Sequence, residues 1–332
     1  MKTDGDFPAL LQAFFTDRLM RQRWASPHTI ASYRDTFRLL FSFAEHRLKK
    51  APSTLHLDDL DIPFLGAFLD HLERERGNSA RSRNTRLAAL HPFFRYVALQ
   101  EPGMSALAQR ILAIPQKRYH RTQIQFLTQG EIEALLAAPD QTTWAGRRDR
   151  TLLLVAVQTG LRVSELTGLR CEHVVLGTGA HIRCTGKGRK ERCTPLRRKA
   201  TAAVRVWLAE RRGQPTDHLF PNAKGRALST DGVAYILAKH VATAQQHCPS
   251  LEKKRVTPHV LRHTVAMELL QNGVDRSVIA LWLGHESMET TQVYLHADMA
   301  LKEKALAKAA PLGIKIRRYR PNDKLLAFLK DL

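Results

Sequence analysis

One stretch of this chain, from His173 to Leu196, carries the only strong strand signal, and the longer segments around it read as helix. Its runs are His173 to Leu176, His181 to Thr185 and Glu191 to Leu196, separated by Gly177-Thr178-Gly179 and by a turn spanning Gly186 to Gly188. Short runs joined by glycine turns predict a small three-stranded antiparallel meander. Elsewhere apolar residues recur at three- and four-residue spacing, as in Thr29 to Phe43 and Leu87 to Leu99. The same reading gives helices over Lys199 to Arg212, Thr230 to Gln246, Pro258 to Gln271, Asp275 to Leu283 and Glu289 to His296. The fold class is therefore mainly α with a small antiparallel β-meander (α+β).

At 332 residues the chain is long enough for two domains. Helical pattern runs from Phe7 to about Pro115, after which PQKRYHRTQIQF is polar, basic and without helical period. Thr128 with Glu131 then forms a capping box that opens a new helix, and Gly160 is placed to end the long apolar helix that follows. The expected organisation is an all-helical domain over 1–115, a linker over 116–126, a second domain over 127–312 and a tail over 313–332. No repeat or low-complexity tract interrupts it.

The chain carries 52 Lys and Arg against 31 Asp and Glu, a formal charge of +21, and the excess is spread along its length. That distribution favours a polyanion, DNA or RNA, over a membrane surface. Arg81, Arg83 and Arg86 fall at or near a helix start, where arginines and unpaired N–H groups suit phosphate, although a solvated basic helix end has the same composition. Lys117, Arg118 and Arg121 in the linker and Arg189 and Lys190 in the meander complete the candidate DNA contacts. The opening MKTDGDFPAL has no apolar signal-peptide region, and Leu152 to Val157 is too short to span a bilayer. A cytoplasmic, nucleoid-associated protein without membrane partners is expected. Cys171, Cys184, Cys193 and Cys248 lack CxxC spacing, which fits neither a zinc ribbon nor a disulfide framework, and Cys184 and Cys193 read as small apolar residues flanking one hairpin.

Six residues in the second domain form one chemical kit. A phosphodiester opens without metal or cofactor when fixed cations hold its non-bridging oxygens, a nucleophile attacks and an acid protonates the departing sugar oxygen. Arg162, in TGLRVSEL, lies between the apolar anchors Leu161 and Val163, with Glu165 three residues on to brace its guanidinium. Lys187 sits between glycines at a turn, free to protonate a leaving 5'-oxygen, a role for which Arg189 and Lys190 compete. His259 and Arg262 follow Thr257-Pro258 at a helix start, whose dipole favours phosphate. HVLRH has the outline of a zinc-hydrolase HExxH but lacks its glutamate, so no metal is expected. His285 follows Gly284, and Tyr294 comes nine residues later with the phenol that can store a phosphodiester bond's energy. Taken singly, an Arg-Glu pair, a basic hairpin tip and a helix tyrosine are all ordinary structural features.

In combination, and in this order, the six resemble the active site of the tyrosine recombinases, the phage integrase family, over about Leu127 to Ala297. The resemblance implies a 3'-phosphotyrosyl link at Tyr294, Arg162 and Arg262 on the scissile phosphate, and Lys187 as acid. It also implies that His259 assists proton transfer at the nucleophile, His285 bonds the phosphate, and Glu165 supports the first arginine. The first domain resembles, in outline only, that family's helical core-binding, SAM-like domain. The implied architecture is a C-shaped clamp on double-stranded DNA. The implied activity is strand exchange between paired recombination sites through a Holliday junction, by a homo-tetramer and with sister recombinases in some systems. The wording around LGHESMETTQVYLHADMALKEKAL is similar to members borne on plasmids or transposons, which implies integration or excision of a mobile element. Leu325, Leu326, Phe328 and Leu329 give the tail an apolar helical face, expected to dock on a neighbouring protomer, with packing back on its own domain as the alternative. Two other functions use parts of the same kit: relaxation of supercoils by a type IB topoisomerase-like enzyme, and DNA binding by a non-catalytic accessory protein.

Overall fold

Many of the helices begin where the sequence supplies a capping oxygen. In the computed structural model, which describes residues 7–119, 124–186 and 191–284, the chain divides into two units, Met1–Arg121 and Thr122–Leu332. The first is all helical. α1 (Phe7–Ala13) runs into a π-helical stretch, Phe14–Gln22, and is followed by α2 (Pro27–Leu48), α3 (Ile62–Arg74), α4 (Ala80–Gln100) and α5 (Ser105–Leu112). Ser26, Asp61 and Ser79 cap α2, α3 and α4 by accepting from backbone N–H groups three residues on, which relieves the unpaired donors of each first turn. An edge-to-face aromatic cluster of Phe7, Phe14, Phe37 and Phe93 fills the core between α1, the π-helical stretch, α2 and α4.

The second unit begins with α6 (Gln129–Ala137), α7 (Trp144–Thr159) and the short α8 (Val163–Thr167). The expected capping box is present at α6: Glu131 N donates to Thr128 Oγ1, and Glu131 Oε2 accepts from Thr128 N at 2.8 Å. The meander follows as β1 (Val174–Val175), β2 (His181–Thr185) and β3 (Glu191–Pro195), antiparallel in that order. Among the described residues the α-helices that follow are α9 (Arg198–Arg211), α10 (Thr230–Gln245), α11 (Pro258–Gln271) and α12 (Arg276–Leu283). α7 is central, packed against α9 and α11, and its residues Leu152, Leu153 and Val155 are at most 1% exposed. A buried polar node ties α7 to α10: the Asp149 carboxylate accepts from Arg148 Nη2 at 2.7 Å and from His240 Nε2 at 2.9 Å. Burial pushes the Asp149 carboxyl up, but the hydrogen bonds from His240 and Arg148 outweigh it and hold it below the ordinary carboxylate range.

The linker expected over 116–126 is tied down at both ends. Asn84 clamps the backbone of Lys117, its Nδ2 donating to the carbonyl at 2.7 Å and its Oδ1 accepting from the N–H at 3.0 Å. Ile124 and Phe126 pack with α11 and α12, and Leu127 N donates to Thr264 Oγ1. Among the described residues no helix is long and apolar enough to cross a membrane. The expected helix over Glu289 to His296, the tip of the second hairpin and the tail over 313–332 lie outside the described residues.

Candidate active site

The site is built on two glycine-terminated helix ends. α7 stops at Gly160 with φ +63, a left-handed cap that also leaves room for a neighbour. A Cβ there would stand 2.6 Å from a methyl carbon of Leu283 on α12. α12 stops at Gly284 with φ +64, where a Cβ would lie 2.8 Å from the Arg192 guanidinium. Both glycines thus permit left-handed backbone and close approach at once.

Immediately after Gly160 the buried Leu161 turns Arg162 into the N-cap position of α8. Glu165, three residues on, accepts from Arg162 N at 2.7 Å and from Arg162 Nη1 at 2.9 Å, so the expected brace is present through backbone and side chain. α11 enters through Thr257 and Pro258, placing exposed His259 in the first turn and Arg262, 5% exposed, in the interior. Arg262 Nη1 donates to the Gly160 carbonyl at 2.7 Å and its Nη2 to the Leu283 carbonyl at 2.5 Å. Arg162 Nη2 donates to the Gly284 carbonyl at 2.8 Å. The two arginines, 100 positions apart in sequence, are therefore fixed to successive carbonyls at one helix end.

A third arginine belongs to the cluster. Arg192 on β3 donates from Nη1 and Nη2 to the two oxygens of Glu165 at 3.0 and 2.7 Å, and from Nε to the Trp282 carbonyl at 3.2 Å. Burial pushes the Glu165 carboxyl up, but the hydrogen bonds from Arg192 and from the Arg162 N–H outweigh it and hold it below the usual carboxylate range. Arg192 was not among the sequence candidates. Strand alternation carried the signal, because buried Thr194 and half-buried Arg192 share a parity on β3 while Glu191 and Cys193 point outward. The same alternation separates the two cysteines expected to behave alike: Cys184 is buried opposite Arg192, whereas Cys193 is exposed opposite Arg183. Burial pushes the Cys184 thiol up to about 11.

Arg162, Glu165 and Arg262 are thus brought together, with His259 on the same helix as Arg262. Lys187, Arg189, Lys190, His285, Tyr294 and Arg121 lie outside the described residues. Of the candidate DNA contacts in the first unit, Arg81 and Arg118 are exposed. Arg83 is not a surface cation: it is 6% exposed, lies 3.6 Å from Glu73 and donates to the Pro115 carbonyl. Arg86 points inward to the Ser32 carbonyl and the Thr36 hydroxyl of α2, and Lys117 pairs with Glu73 at 2.5 Å. The first two act as struts of the helical unit; Lys117 is half-exposed and engaged internally.

His263, beside this cluster, has a ring pushed from its ordinary 6.5 down to about 4 by burial, with the charges of His259 and Arg262 adding to the effect. A neutral ring in the fold and a protonated one in the unfolded chain mean that the unfolded state binds more protons between those values. Stability should therefore fall as pH drops from about 6.5 to 4, by roughly 1–2 kcal/mol after allowing for the ring's partial contact with water. Melting curves of wild type and His263→Asn across that window check this; the wild type should lose the extra increment and the variant should not.

A family model described as "Phage integrase family" matches residues 125–300, and one for a "Phage integrase, N-terminal SAM-like domain" matches residues 13–101. Integrase/recombinase y4rC of Sinorhizobium fredii is 60% identical over 332 residues, covering 100% of both chains. Tyrosine recombinase XerD of Pseudomonas aeruginosa is 32% identical over 306 residues, covering 90% of this chain and 96% of its own. Among solved structures, the XerH site-specific recombinase bound to palindromic difH substrate, a post-cleavage complex, superposes with a TM-score of 0.69 at 26% identity, covering 86% of this chain and 81% of that one. The chain belongs to the phage integrase family and is a site-specific recombinase of the tyrosine type.

Proposed function

We propose that this recombinase cuts and rejoins duplex DNA through a 3'-phosphotyrosyl intermediate at Tyr294. The observation that carries the reading is the convergence of Arg162 and Arg262 on one helix end, each anchored by backbone carbonyls at 2.5–2.8 Å. Two guanidiniums held in place before DNA arrives can neutralise both non-bridging oxygens of a phosphate without reorganising in the transition state. Arg162 is the more accessible, with 27% of its side chain exposed. In the proposed reaction Tyr294 attacks phosphorus, Lys187 protonates the departing 5'-oxygen, His259 assists transfer of the phenol proton, and His285 bonds the phosphate. Attack by the free 5'-hydroxyl of a partner strand reverses the step, so the link is restored without a nucleotide cofactor.

Arg81, Arg118, Arg121, Arg189 and Lys190 are the proposed backbone contacts, with Lys117 and Arg86 contributing only if their internal partners yield. A complex of XerH with its difH site supports a duplex recombination site as the ligand. Exchange between two such sites requires four active sites, hence the proposed homo-tetramer, or a mixed one with sister recombinases, proceeding through a Holliday junction. The proposed outcome is integration or excision of a mobile element, in keeping with the name integrase/recombinase carried by y4rC. We also place the two functional domains at 1–115 and 127–312, with the tail over 313–332 docking between protomers.

Covalent capture tests the reading. The protein is incubated with DNA flanking its own gene, quenched in SDS, and the 3'-ends retained on protein are sequenced. Adducts at one discrete position are expected, and their sequence context identifies the recombination site. Tight binding with no adduct would indicate a required partner recombinase or the accessory role; adducts scattered without site preference would indicate the topoisomerase-like one.

A further inference from the structure

Arg192 stands behind the two arginines proposed to hold the phosphate. Resting on that reading, we infer that Arg192 is a positioning residue that aims Arg162 by holding Glu165 and the last turn of α12. Its fork closes on both Glu165 oxygens while Nε reaches the Trp282 carbonyl, so three donors fix the guanidinium plane. Only 11% of its side chain is exposed, against 27% for Arg162. Arg192 is thus spent on acceptors within the protein, and of these two Arg162 is the one a phosphate can reach.

The arrangement has a ladder. Trp282, Leu283 and Gly284 offer successive carbonyls at the C-terminal end of α12, and Arg192, Arg262 and Arg162 take them in turn. Unpaired carbonyls at a helix end carry partial negative charge, which suits guanidinium. Residue 285, a proposed phosphate ligand, follows directly. One rigid turn therefore sets the positions of both proposed phosphate arginines, and Arg192 ties that turn to Glu165.

The carboxylate is where Arg192 controls Arg162. Glu165 Oε1 is shared, accepting from Arg162 Nη1 at 2.9 Å and from Arg192 Nη1 at 3.0 Å, and its side chain is only 4% exposed. With Arg192 removed, Arg162 is the cation left beside a buried carboxylate. A full fork–fork pair between them would turn the guanidinium away from the phosphate. Arginine is required because a lysine brings the charge without the planar fork.

Single-turnover adduct formation at saturating protein tests this. The full-length wild type, Arg192→Met and Arg192→Lys are each given the duplex whose cleavage site covalent capture has mapped. A second duplex carries a neutral methylphosphonate at the scissile position, where less depends on an aimed cation. DNA affinity and melting temperature are recorded for each. We expect affinity within about threefold of wild type and cleavage of the natural duplex lowered on the order of 100-fold, the scale of a misplaced reacting group. On the methylphosphonate the deficit should shrink to under about tenfold, which a merely structural role would not produce. Wild-type cleavage by both variants, or an equal deficit on both duplexes, overturns the inference. Should Arg192→Met fail to fold because Glu165 is left buried, Arg192→Lys keeps the charge and the two-duplex comparison still decides. Absence of adduct from the wild type would instead overturn the recombinase mechanism on which the inference rests.

Discussion

Tyr294→Phe is expected to bind the recombination site with unchanged affinity and to leave no protein attached to DNA after SDS. The substitution removes one oxygen. That oxygen is the proposed nucleophile, and a phenyl ring has nothing to replace it, so the loss is complete rather than partial. Among the described residues the other tyrosines are poor substitutes for reasons visible in the fold; Tyr319 lies outside them. Tyr33 and Tyr96 pack against Phe14 with ring centroids 6.4 and 5.7 Å away, in the first unit's core. Tyr119 and Tyr235 are exposed at 45% and 72%, and neither neighbours the arginine cluster in the sequence or in the hydrogen bonds that define it. The measurement is the fraction of end-labelled duplex that shifts to a protein-bound species in denaturing gels. Residual adduct in the phenylalanine variant would move the nucleophile elsewhere, and Tyr235 would be the next to replace.

How far the sequence reveals this site depends on the range of the interactions that make it. Features closed within a few residues were legible: the Thr128–Glu131 box, the Gly160 cap, the Arg162–Glu165 pair and the three strands all appear where local pattern puts them. Alternation on β3 marks Arg192 as facing inward, but what it meets there is not legible locally, since its partners, Glu165 and Trp282, lie 27 and 90 positions away. Position near a helix start makes Arg83 and Arg86 candidate phosphate contacts, although helix geometry argues otherwise. Arg83 precedes the buried Leu87 and Leu90 by four and seven positions, which places it on the apolar stripe of α4. A buried arginine needs a partner, and Glu73 with the Pro115 carbonyl supplies it. The roles of Lys187, His285 and Tyr294 rest on motif chemistry, since 187–190 and the residues after Gly284 lie outside the described ones.

Arg262→Ala should fail in two separable ways. The guanidinium is 5% exposed and satisfies the Gly160 and Leu283 carbonyls, the two helix ends on which the site is built. Truncation leaves both acceptors without that donor in the interior, at a cost of about 1–3 kcal/mol each, so the melting temperature should drop by several degrees. The same truncation removes one of the two proposed phosphate cations. By comparison with loss of an oxyanion donor, that costs about 3 kcal/mol or more of transition-state stabilisation, on the order of 100-fold to 1000-fold in cleavage rate. Cleavage assayed well below the variant's melting temperature isolates the second effect from the first. Added methylguanidinium at millimolar concentration then distinguishes them chemically. A free cation entering the vacated space should restore part of the cleavage rate, since the remaining groups are held by Glu165 and the α12 turn. A defect caused by loosened packing alone would be unmoved by it. Wild-type cleavage by a folded Arg262→Ala protein would remove this arginine from the phosphate and leave Arg162 as the sole clamp.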